Sequence, residues 1–233
     1  MADFQVLSGG AAQGLLRKLQ DTFERVSGDR LQATFGAVGA MQKLLTQGAP
    51  CELLILTRPL ITQIAQEGKV RADGIANLGM VKTGIAVKRG AAPPAVHDAD
   101  SLRAALLAAD AIYMPDPKLA TAGIHFKQVI QQLGIEDTVA ARLRPFPNGY
   151  AAMTAMAASD DAQPIGCTQV TEILITVGVQ LVGNLPAAFE LATVYTAGIC
   201  SAGTRTTSAR VLARLLSDDA HAEMRRDSGF LPL

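Results

Sequence analysis

Two glycine loops and one arginine stand where this chain could grip an anion. Ser8-Gly9-Gly10-Ala11 follows a short apolar run and leads into an amphipathic one, and Gly36-Ala37-Val38-Gly39 repeats that order after residues 31–35. Glycine lets the backbone turn sharply and approach a ligand closely. A helix starting there points unpaired N–H groups and the positive end of its dipole at whatever sits above the strand. Two such loops side by side would supply convergent backbone donors. Arg58 ends an apolar run, residues 52–56, of the kind buried on both faces of a parallel sheet. Ligands of open α/β sheets sit beyond the carboxyl ends of strands, where a guanidinium fork can hold a carboxylate. The alternatives are a surface arginine before a helix begun by Pro59, and an ordinary strand-to-helix turn at Gly9-Gly10.

The scaffold that must position these residues is an alternation of strands and helices. A helix is expected over 14–26, with Leu15, Leu16, Leu19 and Phe23 on one face, and another over 60–66. Strands are expected at 4–8, 31–35, 52–56, 81–87, 110–114, 179–182 and 193–198. The strand at 110–114 enters a third loop, Pro115 to His125, whose helix starts at Thr121 and runs to about Leu133. Asn148-Gly149-Tyr150 opens a helix over 151–158, rich in Ala and Met, and 163–173 reads as a short strand whose end carries polar side chains. Two amphipathic helices end the chain near Gly229-Phe230. The alternation implies an α/β protein of parallel sheets with helices on both faces. Arg89 to Pro94, a stiff loop, marks the start of a second lobe.

The 233 residues suffice for one large domain or two small lobes. The balance of 21 basic against 21 acidic side chains argues against nucleic acid, which would want a basic face, and gives no sign of an anionic membrane partner. Aromatics are 4% and Trp is absent, which argues against base-stacking platforms. Cys51, Cys167 and Cys200 are far apart in sequence, odd in number and without metal-ligand spacing, so they read as free, mostly buried thiols. There is no nucleophile elbow, phosphate loop, His-Glu-x-x-His or Cys-x-x-Cys, and no cofactor or metal is expected. The chain enters its first strand without an export signal, and no apolar run is long enough for membrane insertion. A cytoplasmic location is expected, periplasmic if a leader has been removed.

The order of five blocks carries a family resemblance. Val-Leu-Ser-Gly-Gly-Ala at 6–11, Thr-Phe-Gly-Ala-Val-Gly at 34–39, Gly-Ala-Pro at 48–50, Asp-Pro at 116–117 followed by Ala-Gly-Ile at 122–124, and Gly-Cys-Thr-Gln-Val-Thr-Glu-Ile at 166–173 together resemble the periplasmic molybdate-binding proteins and the wider family 11 extracellular solute-binding proteins. The resemblance implies a two-lobed type 2 periplasmic-binding-protein fold with a ligand cleft between the lobes and hinge closure around the ligand. Lobe 1 would be residues 1–84 and 190–233, and lobe 2 residues 85–189. In molybdate binders two serine hydroxyls and a tyrosine hydroxyl hold the oxyanion. The matching positions here are Ala11, Val38 and Gln169, with Ser8 close to the first, so three hydroxyl donors are missing. Ala122 and Gly149 match backbone-donor positions. Gln169, which both donates and accepts, and Arg58 suit a planar carboxylate better than a tetrahedral oxyanion.

Two function classes follow. The first is a binding protein for a small anionic ligand, with helix starts at Gly10, Gly39, Thr121 and Gly149, and with a transporter partner only if it is exported. The second is an enzyme, because some relatives of this fold resemble isomerases of unsaturated tricarboxylic acids, of the aconitate cis/trans type. Such a reaction needs a general base beside an α-proton and donors for an enolate-like intermediate. His125 is the leading candidate base, Glu172 the next, and Asp116 could orient either. Each also has a structural reading: a helix-surface or cleft-wall histidine, a partner in a helix cap, and a turn residue before Pro117.

Overall fold

The computed structural model describes residues 2–233. The strands are β1 (Asp3–Gly9), β2 (Arg30–Gly36), β3 (Leu53–Thr57), β4 (Val70–Lys88), β5 (Ile112–Pro115), β6 (Leu143–Phe146), β7 (Ile165–Gln169), β8 (Val179–Asn184) and β9 (Ala192–Cys200). The helices are α1 (Gln13–Ser27), α2 (Val38–Thr46), α3 (Arg58–Gln66), α4 (Ala99–Ala108), α5 (Thr121–Gln132), α6 (Glu136–Val139), α7 (Gly149–Ala158), α8 (Val170–Leu174), α9 (Thr206–Ser217) and α10 (Ala222–Asp227). The chain packs as two units. One is the segment up to Val81 with Thr193–Leu233, and the other is Lys82–Ala192.

In the first unit the strand order is β2-β1-β3-β9, followed by the first part of β4. β1 pairs in parallel with β2 and β3, and β3 pairs antiparallel with β9. The sheet is therefore mixed, not all parallel as the alternation of elements implies. A parallel neighbour needs a crossover, usually a helix, whereas an antiparallel one does not. β4 and β9 are the strands that lead out of this unit and back into it, and β9 joins the sheet antiparallel to β3. All five residues of β3 are buried, as its apolar run requires. Phe4 from β1 meets Phe23 from α1 with ring centroids 4.9 Å apart. Leu15, Leu16 and Leu19 fill the same core.

The second unit has the order β4-β7-β5-β6, with β8 on the other edge of β4. Side chains alternate between two apolar clusters, as strand geometry dictates. Ile85, Val87, Ile112 and Met114 pack with Phe126, Val129 and Ile130 of α5. Ala86, Ala111 and Tyr113 pack with Ala152, Met153 and Met156 of α7.

Two stretches form strands against their composition. The expected strand at 81–87 is the end of a nineteen-residue β4, whose first half holds Asp73, Gly74, Asn77 and Gly79. Gly79 has φ 142°, and a Cβ there would come within 2.7 Å of the Leu231 carbonyl. The glycine thus lets Met80 pair with Leu231 near the chain's end, in both directions, at 2.9 and 2.7 Å. β6 contains Pro145, which is tolerated because β6 is the edge strand. No helix among the described residues is long and apolar enough to cross a membrane.

Candidate functional site

The strongest chemical feature lies at the carboxyl end of β7. Gln169 is 2% exposed, yet neither Nε2 nor Oε1 has a hydrogen-bond partner among the described residues. Thr83 on β4 is its antiparallel register partner. Directly opposed residues of an antiparallel pair stand on the same face of the sheet, within reach of one another. Thr83 is 1% exposed, and its Oγ1 is also unpartnered. Thr171, two residues past Gln169, is a third such group. A buried polar atom left unpaired costs about 1–3 kcal/mol, and native structures keep such costs where a role offsets them. The amide presents one acceptor and two donor hydrogens, and each hydroxyl can do both. That set matches a small ligand carrying carboxyl or hydroxyl groups.

Beside this cluster lies a buried carboxyl. Glu172 is 4% exposed and accepts from Gly149 N–H at 3.1 Å, Tyr150 N–H at 3.3 Å and the Thr168 hydroxyl at 2.6 Å. Burial pushes its pKa up, against the pull of Thr168 and the two backbone donors. Asn148 caps the same helix, its Oδ1 accepting from Ala151 N–H at 2.8 Å. The start of α7 is therefore closed from within: the Gly149 N–H, a backbone donor in the family resemblance, is already taken by Glu172. Gly149 is needed for a steric reason: a Cβ there would collide with the Thr168 hydroxyl and the Glu172 carboxyl.

α5 differs, because no side chain among the described residues caps its start at Thr121 and Ala122. Asp116 fixes the loop before it, Oδ1 accepting from Lys118 N–H at 2.7 Å and Leu119 N–H at 3.0 Å. His125 follows one turn into α5 and is half-buried. Its Nε2 lies 2.8 Å from the Phe189 carbonyl, so this nitrogen donates and Nδ1 is left as the basic one. The histidine thus makes a structural hydrogen bond to a residue remote in the chain.

In the first unit, Gly9 and Gly36 are parallel register partners, so the two glycine loops adjoin. A Cβ at Gly9 would lie 3.0 Å from Val38 Cγ1 and 3.1 Å from the Tyr195 ring. Ser8 is fully buried and donates to the Gly9 carbonyl at 2.9 Å, so its proton is already committed. Gly10 and Ala11 form a buried 3₁₀ turn before α1. Val38 and Gly39 begin α2, which has no side-chain cap among the described residues. Arg58 begins α3 with an exposed guanidinium that makes no ion pair or hydrogen bond among the described residues.

Thr83 and Thr171 escape a reading of the sequence. The available signals are a lone hydroxyl inside the apolar stretch 81–87 and a second threonine in the block at 166–173. Their being unpaired shows only in three dimensions.

Comparisons with known proteins agree with this architecture. The solved structure of the Azotobacter vinelandii periplasmic molybdate-binding protein matches 99% of both chains with a TM-score of 0.80 at 17% identity, and so shares the fold. An aconitate isomerase from a Pseudomonas species is 24% identical over 234 residues, covering 98% of this chain and 87% of that protein. The molybdate-binding protein ModA of Escherichia coli K12 is 25% identical over 191 residues, covering 80% of this chain and 74% of that protein. The model of the bacterial extracellular solute-binding proteins matches residues 4–231. Nearly the whole chain is spanned by that match, and it belongs to the bacterial extracellular solute-binding protein family.

Proposed function

We propose that the chain binds a small organic anion and that Gln169, Thr83 and Thr171 receive one of its carboxyl groups. The observation that carries this reading is Gln169, whose buried amide has both polar atoms unpaired. Anion binding accords with the molybdate-binding relatives. The preference for a carboxylate over molybdate rests on Ala11, Val38 and Gln169, which stand where the resemblance calls for three hydroxyl donors. An oxyanion held without them loses about 1–3 kcal/mol per missing hydrogen bond. The free Arg58 guanidinium and the uncapped starts of α2 and α5 are further groups of the right sign.

The test is thermal unfolding with citrate, trans-aconitate, molybdate or sulfate added. A ligand at a hundred times its Kd stabilises by about 2.7 kcal/mol, an easily read rise in Tm. A rise with a carboxylate and none with the inorganic oxyanions is expected. The reverse pattern would overturn the proposal.

A second reading is favoured by one observation, the similarity to aconitate isomerase along 98% of the chain. In it the same site binds an unsaturated tricarboxylate, and a base removes a proton α to a carboxyl group. Glu172, with its raised pKa, and His125, through Nδ1, are the candidate bases. Asp116 holds the α5 loop in place for either. Proton NMR of trans-aconitate with the protein in D₂O decides it. Interconversion with exchange supports the enzyme, and an unchanged spectrum alongside a ligand-dependent rise in Tm leaves the binder alone.

A further inference from the structure

A second reactive centre lies at the opposite end of the first unit's sheet. The glycine loops follow the carboxyl ends of β1 and β2. Cys51 instead precedes β3, and Cys200 ends the antiparallel β9, so both cysteines stand at the other end. The two chain segments are tied there by the Cys200 N–H, which donates to the Glu52 carbonyl at 3.0 Å. Both cysteines line one cavity of about 570 Å³, bordered by Gly48, Ala49, Lys69 and Gly203. Small side chains leave that wall open. The Cys51 thiol is half-buried and its Sγ–H donates to the Leu53 carbonyl at 3.3 Å.

We propose that Cys51 and Cys200 form a dithiol site that reacts with low-molecular-weight disulfides, Cys51 attacking and Cys200 resolving. The order follows from access, since Cys51 is half-buried at the cavity wall whereas Cys200 is 2% exposed, and the surroundings of the two sulfurs point the same way. The neighbouring Cys200 thiol stabilises the Cys51 thiolate and holds Cys51 below the ordinary thiol range. The same contact and burial push Cys200 well above it. The thiolate is the nucleophile in such exchange, so Cys51 acts first. Its sulfur attacks one sulfur of the incoming disulfide, the S–S bond breaks and one small thiolate leaves. Cys200 then gives up its proton to solvent, attacks the Cys51 Sγ and displaces the second thiolate. Two protein thiols are oxidised to one disulfide, and one small disulfide is reduced to two thiols. Cys167 takes no part, because it is fully buried in the second unit and its thiol is pushed far up by burial.

The probe is glutathione disulfide, with thiol titration, intact mass and peptide mapping as readouts. The wild-type chain should lose two titratable thiols and two hydrogens and yield a linked Cys51–Cys200 peptide. Cys200→Ser should stop at one glutathione held on Cys51, and Cys51→Ser should take up none. Three remaining thiols, a wild-type chain that stops at the mixed disulfide, or Cys51→Ser reacting as fast as Cys200→Ser would each overturn the assignment. If a serine variant fails to fold, the wild-type map decides: the linked peptide sustains the proposal and its absence ends it.

Discussion

Glu172 accepts the Gly149 N–H at 3.1 Å across 23 positions of sequence, so a buried carboxyl closes the start of α7. The same oxygen accepts from Tyr150 and the other from the Thr168 hydroxyl. Burial makes the charged form costly, and the folded pKa stands above the unfolded glutamate value of about 4.3. The stability this group confers is therefore full below about pH 4.3 and falls as pH rises through the folded value.

Glu172→Gln keeps the geometry, its carbonyl accepting both N–H groups and its amide donating to Thr168. Urea unfolding from pH 4 to 8 should show the wild-type chain losing stability relative to this variant as pH rises. Parallel curves would mean that Glu172 titrates normally. Glu172→Ala strips the α7 start of its acceptor and should cost about 1–3 kcal/mol or more at any pH.

Gln169→Met replaces the unpaired amide with an apolar chain of similar length. Removing a buried, unsatisfied polar group is neutral or stabilising for the fold, so the apo Tm should hold or rise. Carboxylate affinity by calorimetry should fall by about 1–3 kcal/mol for each hydrogen bond removed. A lower apo Tm with unchanged affinity would give Gln169 a purely structural role.

Arg58→Ala should separate the two functions of a surface cation. Among the described residues the guanidinium has no partner to lose, so stability should stay within about 0.5 kcal/mol. Affinity for a carboxylate should drop by about 1–3 kcal/mol, the worth of a charged hydrogen bond. Calorimetry that shows equal affinity would mark Arg58 as a solvated residue at the start of α3.

Asp29 holds the start of α9 from outside the helix. It is 8% exposed and accepts from Arg205 Nη1 at 2.9 Å and from the Ser208 hydroxyl at 2.6 Å. Asp29→Ala leaves the buried Ser208 hydroxyl without its acceptor and should cost about 1–3 kcal/mol, read as a lower Tm. The anion-induced rise in Tm should persist on that lower baseline.

The helices and most strands were legible in the sequence because hydrophobic periodicity is a local property. The stripe Leu15, Leu16, Leu19 and Phe23 can bury only as a helix, and the apolar run at β3 only as a strand covered on both faces. The loops after β1, β2 and β5 were legible for the same reason, since glycine and turn residues punctuate that pattern. The first half of β4 and the proline-bearing β6 were not, because their neighbours in the sheet outweigh poor local propensity.

For the site, the sequence by itself determined the inventory: a glutamine where the resemblance calls for a tyrosine, an arginine at a strand end, and three cysteines. Tertiary structure alone decided which of these are available. It turned the Ser8 hydroxyl to the Gly9 carbonyl and occupied the Gly149 N–H with Glu172, yet left the register partners Gln169 and Thr83 each without a side-chain hydrogen bond among the described residues. It also brought Cys51 to Cys200, which nothing in their spacing suggests. The physical reason is that a hydrogen bond depends on ångström-scale distance between groups remote in the chain. Residue type and local periodicity carry no information about that distance until the strands have paired.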